Sequence, residues 1–232
     1  MTTEALSLGG SFGRGGGDPY DHALRTSGSL VLHDVGPMGR ADGATTREVH
    51  VRRFLGRADR AERRVLASTR GSVLDIGCGP ARMVAEALRA GRPALGVDLS
   101  PAAAELAASK GLPVHLGSVF DPVPRQGGWD VVLLVDGNVG IGGNPTRLLE
   151  RCAELASGSG RLVVETAPDR QRSHEYTAVV SAPGVGTSAR FPWAEVGADA
   201  LADVAARSGW EPACEVRSRH RTFVVLRRAE PG

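Results

Sequence analysis

One stretch, from Val73 to Arg82, constrains the fold of this chain more than any other, because a strand must end and a helix begin within it. A short apolar run enters the stretch and apolar residues at helical spacing leave it. Gly77 and Gly79 lie between them, and glycines let a ligand lie against the main chain. The free N–H groups of the new helix point into the same space. Together with the carboxylate of Asp75, this turn predicts a binding site for an anionic or zwitterionic group.

A second strand indicates which ligand binds there. Residues 93–98 form an apolar run that ends in Asp98, about 20 residues beyond the glycines, as expected of a carboxylate that binds ribose hydroxyls. A dinucleotide site would need a third glycine or an alanine three places after Gly79, where this chain has Arg82. The two strands and one helix therefore predict a nucleoside site, and Arg82 counts against a dinucleotide.

The pattern resembles the class I S-adenosylmethionine-dependent methyltransferases. Residues 73–79 match motif I of that family, residues 96–100 match its acidic ribose loop, and residues 129–136 match its fourth strand. The resemblance covers roughly the last two thirds of the chain, and its strength lies in the combination. Two departures are Ala81, where most members have a third glycine, and Ser118, where relatives often have an aspartate near the adenine amino group.

The resemblance implies an α/β fold: a Rossmann-like, doubly wound sheet of seven mostly parallel strands, one of them antiparallel, with a small N-terminal helical cap. We expect residues 1–17 to be a disordered tail, residues 18–70 a cap or lid, and residues 71–232 the methyltransferase domain. Within that domain, residues 167–193 form an insertion that shapes the substrate pocket.

The resemblance also implies an enzyme with S-adenosylmethionine as its cofactor. By this resemblance the glycine turn binds the methionine part of the cofactor, and Asp75 acts indirectly on its ammonium group. Asp98 binds the ribose, and Ser118 and Val119 contact the adenine. The cofactor-binding residues expected in this way are Tyr20, Asp75, Gly77, Cys78, Gly79, Asp98, Leu99, Ser118, Val119, Asp136, Gly137 and Asn138.

The run from Trp129 to Asp136 is a continuous apolar strand of the kind that helices bury on both faces. Ligands of open parallel sheets bind outside the carboxyl ends of the strands, so Asp136, Gly137 and Asn138 should lie beside the sulfonium methyl group. The alternative is that this glycine-dense loop only turns into the next helix. Enzymes that methylate amino groups of DNA bases or glutamine carry Asn/Asp-Pro-Pro-aromatic here, and Asp-Gly-Asn-Val disfavours those acceptors.

Candidate proton acceptors follow in the insertion. His174 and Glu175, with Asp136, are the predicted catalytic residues, because an imidazole or carboxylate near the acceptor could take its proton. The alternative leaves His174 and Glu175 on an exposed loop tip. We expect residues 176–180 and 188–191 to form a hairpin flap, followed by a helix that starts near Pro192 and ends near Ser208.

The N-terminal segment offers a lid and a charged helix. Tyr20 could close over the methionine end of the cofactor, whereas His22 is more simply interpreted as solvated. Residues 46–66 show apolar residues at helical spacing and predict an amphipathic helix broken near Gly56. Its arginines alternate with acidic residues and lack aromatic partners, so they indicate a solvated face rather than a nucleic-acid site.

Composition sets limits on partners and compartment. The chain has 232 residues and a net charge of +2, with a sequence pI of about 8.6, which is too mild to indicate nucleic acid or membrane as a partner. Cys78, Cys152 and Cys214 lack the spacing of metal ligands, so we expect no metal site, and their small number suits a reducing cytoplasm. No apolar run reaches the length of a membrane helix, and no secretory signal opens the chain.

These observations predict transfer of a methyl group from S-adenosylmethionine to an oxygen or nitrogen of a small molecule, such as a secondary metabolite. The rival hypotheses are a non-catalytic S-adenosylmethionine-binding protein and an NAD-dependent oxidoreductase.

Overall fold

The computed structural model of the chain describes residues 11–13, 19–36 and 46–229. In chain order its elements are α1 (Pro19–Thr26), β1 (Ser29–Asp34), β2 (Thr46–His50), α2 (Arg52–Leu55), α3 (Arg60–Ala67), β3 (Val73–Ile76), α4 (Arg82–Arg89), β4 (Ala94–Asp98), α5 (Pro101–Ala108), β5 (Val114–Leu116), β6 (Trp129–Leu134), a 3-10 segment (Asn138–Gly143), α6 (Pro145–Leu155), β7 (Ala156–Thr166), β8 (Ser173–Ala182), β9 (Gly186–Thr187), β10 (Phe191–Val196), α7 (Ala198–Arg207), β11 (Trp210–Arg217) and β12 (Thr222–Arg228).

The larger of two sheets has seven strands in the order β11-β12-β7-β6-β3-β4-β5. Strands β5, β4, β3, β6 and β7 are parallel, and β12 pairs antiparallel with both β7 and β11. This confirms the predicted mostly parallel sheet with one antiparallel strand near its end.

Alternation along the central strands explains why helices cover both faces of this sheet. Leu74 of β3 packs in one apolar cluster with α6 and α7, while its neighbour Val73 packs in another with α3 and α4. Successive side chains of a strand point to opposite faces, so an uninterrupted apolar strand needs a helical layer on each side. The sheet is therefore doubly wound, and the carboxyl ends of β3, β4 and β6 meet at one edge.

The second sheet joins parts of the chain that are distant in sequence. Strands β10-β8-β1-β2 pair antiparallel, with β9 added to β8. Strands β1 and β2 come from the N-terminal segment, and β8, β9 and β10 come from the insertion after β7. Leu32 of β1 lies opposite Val180 of β8, which fixes the register between the two segments.

The N-terminal segment contains the predicted helices but also two strands, and the prediction of a helix over residues 46–66 is wrong in its first part. Thr46–His50 is an edge strand paired with β1, and the helical residues begin at α2. The break near Gly56 is confirmed, because α3 starts anew at Arg60 with a capping box between Asp59 and Glu62. Pairing with β1 overrides the helical spacing of this charged stretch.

The insertion forms the predicted antiparallel hairpin, with longer arms. The predicted arms, residues 176–180 and 188–191, fall in β8 and at the start of β10. The helix predicted from Pro192 is wrong at its start, because residues 191–196 are a strand and α7 begins at Ala198 after Gly197. The proline lies on the outermost strand of the second sheet, where a missing N–H is tolerated.

The predicted tail falls largely on residues that are not described. Of the tail, only residues 11–13 are described, and Phe12 packs its ring against Tyr20, Phe191 and Trp193. The rest of the tail lies outside the described residues, as do residues 37–45 before β2. No helix in the described part of the chain is both long and apolar enough to span a membrane.

Candidate active site

The glycine turn after β3 is held by the loop that follows β6. Gly77 has φ +65°, and the side-chain amide of Asn138 donates hydrogen bonds to the carbonyls of Ile76 (2.8 Å) and Gly77 (2.9 Å). A Cβ atom on Gly77 would lie 2.6 Å from that amide nitrogen, so only glycine permits this approach. The two loops predicted from the sequence to bind one ligand are thus joined directly.

Ala81 occupies the position where most members of the family have glycine. It lies just before α4 with φ +65° and ψ +38°, in the left-handed region that glycine favours, and its side chain is fully buried. The turn therefore has a glycine-like backbone conformation at this position, with an alanine in place.

Asp98 is oriented by the same turn. One carboxylate oxygen accepts a hydrogen bond from the backbone N–H of Gly79 at 2.7 Å, and the other accepts from Ser100 at 2.8 Å. Burial raises the pKa of Asp98, while these backbone N–H groups lower it. Each oxygen retains a lone pair, so the carboxylate can accept two hydroxyl hydrogen bonds from a ribose.

A cavity of about 280 Å³ lies over this turn, between the main sheet and the second sheet. All of the predicted cofactor residues except Asp75 and Gly137 line it. They are Tyr20, Gly77, Cys78, Gly79, Asp98, Leu99, Ser118, Val119, Asp136 and Asn138. The sequence therefore located most of one wall of this cavity.

Helix α1 brings Tyr20 to the cavity. Asp21 is buried and accepts a hydrogen bond of 2.6 Å from the hydroxyl of Ser100, which also accepts from the backbone N–H of Ala103 at the start of α5. The ring of Tyr20 is 4 % exposed, and its hydroxyl would lie 3.1 Å from a Cβ atom on Gly79. Its neighbour His22 is exposed and does not line this cavity.

Sequence reasoning missed the opposite wall, which comes from distant segments. Phe12, Leu32 and Trp193 line the cavity from the N-terminal segment and from β10. Phe120 adds a ring beside Ser118 and Val119, with the guanidinium of Arg147 stacked on it at 4.6 Å. Only Phe120 carried a signal, its position next to the residues predicted for the adenine, because the others are assembled by pairing between the two sheets.

Asp75 is buried beneath the turn and does not line the cavity. It is 2 % exposed, and burial raises its pKa to about 8 in spite of the opposing charge of Arg82. Its carboxyl group can act on a ligand in the cavity only through other groups.

A network of ion pairs links the N-terminal segment to the ends of β6 and β7. Arg82 lies 2.6 Å from both Glu62 and Asp136, and Arg221 lies 2.8 Å from Glu62 and 2.6 Å from Glu165. Although burial raises the pKa of Glu62, hydrogen bonding and charge from Arg82, with the charge of Arg221, lower it to about 2. The carboxylate of Glu62 is therefore ionised at any ordinary pH.

Asp136 lies just after the end of β6 in the left-handed region, with φ +61°, and its backbone N–H donates to Glu165 at 2.7 Å. Its side chain is paired with Arg82 at 2.6 Å and with Arg53 at 2.9 Å. Burial raises the pKa of Asp136 although Arg82 opposes the shift. A strained backbone and a perturbed carboxylate at the end of a central strand are typical of a functional site.

A second cavity, of about 350 Å³, adjoins the first at Asp136. It lies at the carboxyl ends of β6 and β7, and Gly137 lines it rather than the first cavity. Five residues line both cavities and mark the junction between them: Arg47, Val49, Phe54, Asp136 and Trp193.

The other two predicted catalytic residues line neither cavity. His174 shares a hydrogen bond of 2.7 Å with Asp34, and its ring is stacked on that of Tyr176. Glu175 is exposed and points to the opposite face of the strand, by the alternation of side chains. The structure brings Asp136 to the site and leaves His174 and Glu175 outside it. Within the described residues no group of three or more His, Cys, Asp or Glu side chains could hold a metal ion.

Comparison with protein families decides what kind of domain carries this site. The family described as the methyltransferase domain matches residues 48–222. The chain belongs to this family. It is a class I S-adenosylmethionine-dependent methyltransferase, as its motifs predicted. A sequence comparison with curated proteins gives no significant match.

Solved structures resemble this methyltransferase in fold. A methyltransferase from Bacteroides fragilis, in complex with S-adenosylhomocysteine, has a TM-score of 0.75 and 17 % identity, over 92 % of this chain and 95 % of that one. A sugar N-methyltransferase from Streptoalloteichus has a TM-score of 0.55 and 23 % identity, over 78 % and 93 %. The 1,6-didemethyltoxoflavin-N1-methyltransferase of Burkholderia thailandensis has a TM-score of 0.55 and 20 % identity, over 74 % and 78 %.

Proposed function

We propose that this methyltransferase transfers the methyl group of S-adenosylmethionine to an oxygen or nitrogen of a small molecule, with the cofactor in the first cavity and the acceptor in the second. The observation that carries the proposal is that the two cavities adjoin at Asp136. Asp136 follows the carboxyl end of the central strand β6, where ligands of open parallel sheets bind. A cofactor and an acceptor on either side of this residue would meet there.

The first cavity suits the cofactor in shape and chemistry. In this proposal Asp98 binds the ribose, the turn from Gly77 to Gly79 with Tyr20 holds the methionine part, and Leu99 with Ser118 and Val119 holds the adenine. Gly79 has no side chain, and the Tyr20 hydroxyl lies 3.1 Å from the position that a Cβ atom on Gly79 would occupy, so these two residues meet at the methionine end of the cavity. Asp136, Gly137 and Asn138 would surround the sulfonium, and Asp75 would act on the ammonium through the turn.

The chemistry needs alignment more than it needs acid or base. S-adenosylmethionine supplies a methyl carbon that its sulfonium makes electrophilic, so the protein has to place the acceptor in line and exclude water. In this proposal Leu32 and Trp193 of the second sheet, which line the first cavity, help to exclude water from the reacting atoms. Asp136 takes the proton of an acceptor that arrives protonated, since a carboxylate with a raised pKa is a better proton acceptor at neutral pH.

The volume of the second cavity, about 350 Å³, supports a small acceptor. The two similar structures named for a sugar and for 1,6-didemethyltoxoflavin also act on small molecules. The proposal is tested by incubating the protein with S-adenosylmethionine carrying a labelled methyl group and a panel of small hydroxyl and amino compounds. We expect label in products of the panel and none in added DNA, RNA or protein. Transfer to a macromolecule alone would contradict the proposal.

A further inference from the structure

Arg47 lies at the junction of the two cavities and lines both of them. It belongs to β2, where it stands opposite Leu32, another residue of the first cavity. Its guanidinium nitrogens lie 3.7 and 3.8 Å from the position that a Cβ atom on Gly137 would occupy. The cationic end of Arg47 therefore lies along the loop after β6, beside the residues proposed to surround the sulfonium.

Arg47 differs from the other arginines at this junction in having no carboxylate partner among the described residues. Arg82, Arg53 and Arg221 each form ion pairs with carboxylates of the network around Glu62 and Asp136. Their charges are already balanced by the protein, so binding an anion there would require breaking an existing pair. Arg47 can accept an anion without that cost.

Arg147 also lines the first cavity, but it lies at the other end, stacked on Phe120 beside the residues proposed for the adenine. Arg47 is thus the one described guanidinium that is both free of a carboxylate and close to the reacting end of the site. A guanidinium presents a planar set of donors that fits a carboxylate or phosphate with two hydrogen bonds.

We propose that Arg47 binds an anionic group, a carboxylate or phosphate, at the junction of the two cavities. Two reactants could supply that chemistry: the amino-acid carboxylate of the cofactor, or an acidic group on the acceptor. The second source rests on the proposed function, because it takes the second cavity as the acceptor site. Gly137 lines the second cavity and not the first, and the guanidinium of Arg47 lies close to Gly137.

The first arm of the test measures cofactor binding by calorimetry in the wild type and in Arg47→Gln. The ligands are S-adenosylhomocysteine and its decarboxylated analogue S-adenosyl-3-thiopropylamine. If Arg47 binds the cofactor carboxylate, Arg47→Gln raises the Kd of S-adenosylhomocysteine by about tenfold or more and changes that of the analogue by less than about twofold. Arg47→Lys keeps the charge but loses the planar donors, so its Kd for S-adenosylhomocysteine should lie between those of the wild type and Arg47→Gln.

The second arm uses benzoate and phenyl phosphate as anionic probes and uncharged benzamide for comparison. Binding of each probe is measured by ligand-observed NMR, with and without S-adenosylhomocysteine. If the anion belongs to the acceptor, the wild type binds an anionic probe better than benzamide, and Arg47→Gln loses that preference while keeping its affinity for S-adenosylhomocysteine. Arg57→Gln is the matched control, since Arg57 is exposed and lines neither cavity.

Two results would overturn the proposal. One is unchanged affinity of Arg47→Gln for every probe, and the other is an equal loss for S-adenosylhomocysteine and its decarboxylated analogue, which would show a structural role. A wild type that binds an anionic probe but not S-adenosylhomocysteine would instead contradict the cofactor placement of the proposed function. The probe arm without S-adenosylhomocysteine keeps these two failures apart.

Discussion

At the scale of single residues, Asp98 is the side chain most directly tied to cofactor binding. We expect Asp98→Ala to weaken binding of S-adenosylhomocysteine by about 1–3 kcal/mol, because the ribose loses a charged hydrogen-bond acceptor and Gly79 loses the partner that orients it. Calorimetric titration measures the change. Asp121→Ala is the control, since Asp121 is exposed and outside the cavity. Equal affinity in both variants would show that the ribose binds elsewhere.

Asp75 should make the stability of the protein depend on pH. Its pKa is about 8 in the folded protein against 3.8 for an ordinary aspartate, so between these values the folded state keeps a proton that the unfolded chain has lost. The contribution of Asp75 to stability is therefore present below the lower value and falls as the pH rises toward the upper one. Asp75→Asn cannot lose a proton and should lack this fall.

The measurement is the free energy of urea unfolding of the wild type and of Asp75→Asn across this pH range. Relative to the variant, the wild type should lose stability as the pH increases, by at most about 1.4 kcal/mol per pH unit. A constant difference between the two proteins would mean that Asp75 is ionised in the folded state.

At the scale of elements, Glu62 fastens α3 to the rest of the site. It lies in the first turn of α3 and is 1 % exposed, and it pairs with Arg82 at the start of α4 and with Arg221 before β12. Glu62→Gln should lower the free energy of unfolding by about 1–3 kcal/mol, because two buried guanidinium groups lose a charged hydrogen-bond partner while Arg82 keeps Asp136 and Arg221 keeps Glu165. Urea denaturation tests this, with Glu150→Gln on the exposed face of α6 as the control. Similar stability of the two variants would show that Arg82 and Arg221 are satisfied without Glu62.

The elements also show where local sequence was a sufficient guide. The helix after Ser100 was predictable because Ser100 accepts a hydrogen bond from the backbone N–H of Ala103 and Pro101 occupies the first helical position. Strand β2 was not predictable, because residues 46–50 are charged and partly exposed, and only their pairing with β1 selects an extended conformation.

At the scale of the whole molecule, the first cavity lies between two sheets with separate apolar clusters. The clusters around Leu74 and Val73 belong to the main sheet, whereas Leu30 and Leu32 pack within the second sheet and α1. A cofactor in the cavity would contact both layers and link them. S-adenosylhomocysteine at one hundred times its Kd should stabilise the folded protein by about 2.7 kcal/mol.

Hydrogen exchange distinguishes a cofactor that contacts both sheets from one that binds to the main sheet alone. We expect S-adenosylhomocysteine to slow amide exchange in β1 and β8 as well as at the glycine turn, and to leave the edge strand β11 unchanged, since β11 lies far from the cavity in the strand order. In Phe12→Ala the protection of β1 and β8 should decrease, because the aromatic contacts of Phe12 with Tyr20 and Trp193 are lost. Protection confined to the main sheet would contradict a role of the second sheet in covering the cofactor.

The sequence by itself determined the parts of this methyltransferase that local chemistry controls. Apolar runs bounded by glycines predicted the central strands, and the spacing of Gly77, Gly79 and Asp98 predicted one wall of the first cavity, because a strand, a tight turn and a helix follow from neighbouring residues alone. The tertiary structure decided the other wall. Contacts between residues far apart in the chain brought Phe12, Arg47 and Trp193 to the cavity and left His174 and Glu175 outside it, since no local pattern specifies which distant strands will pair.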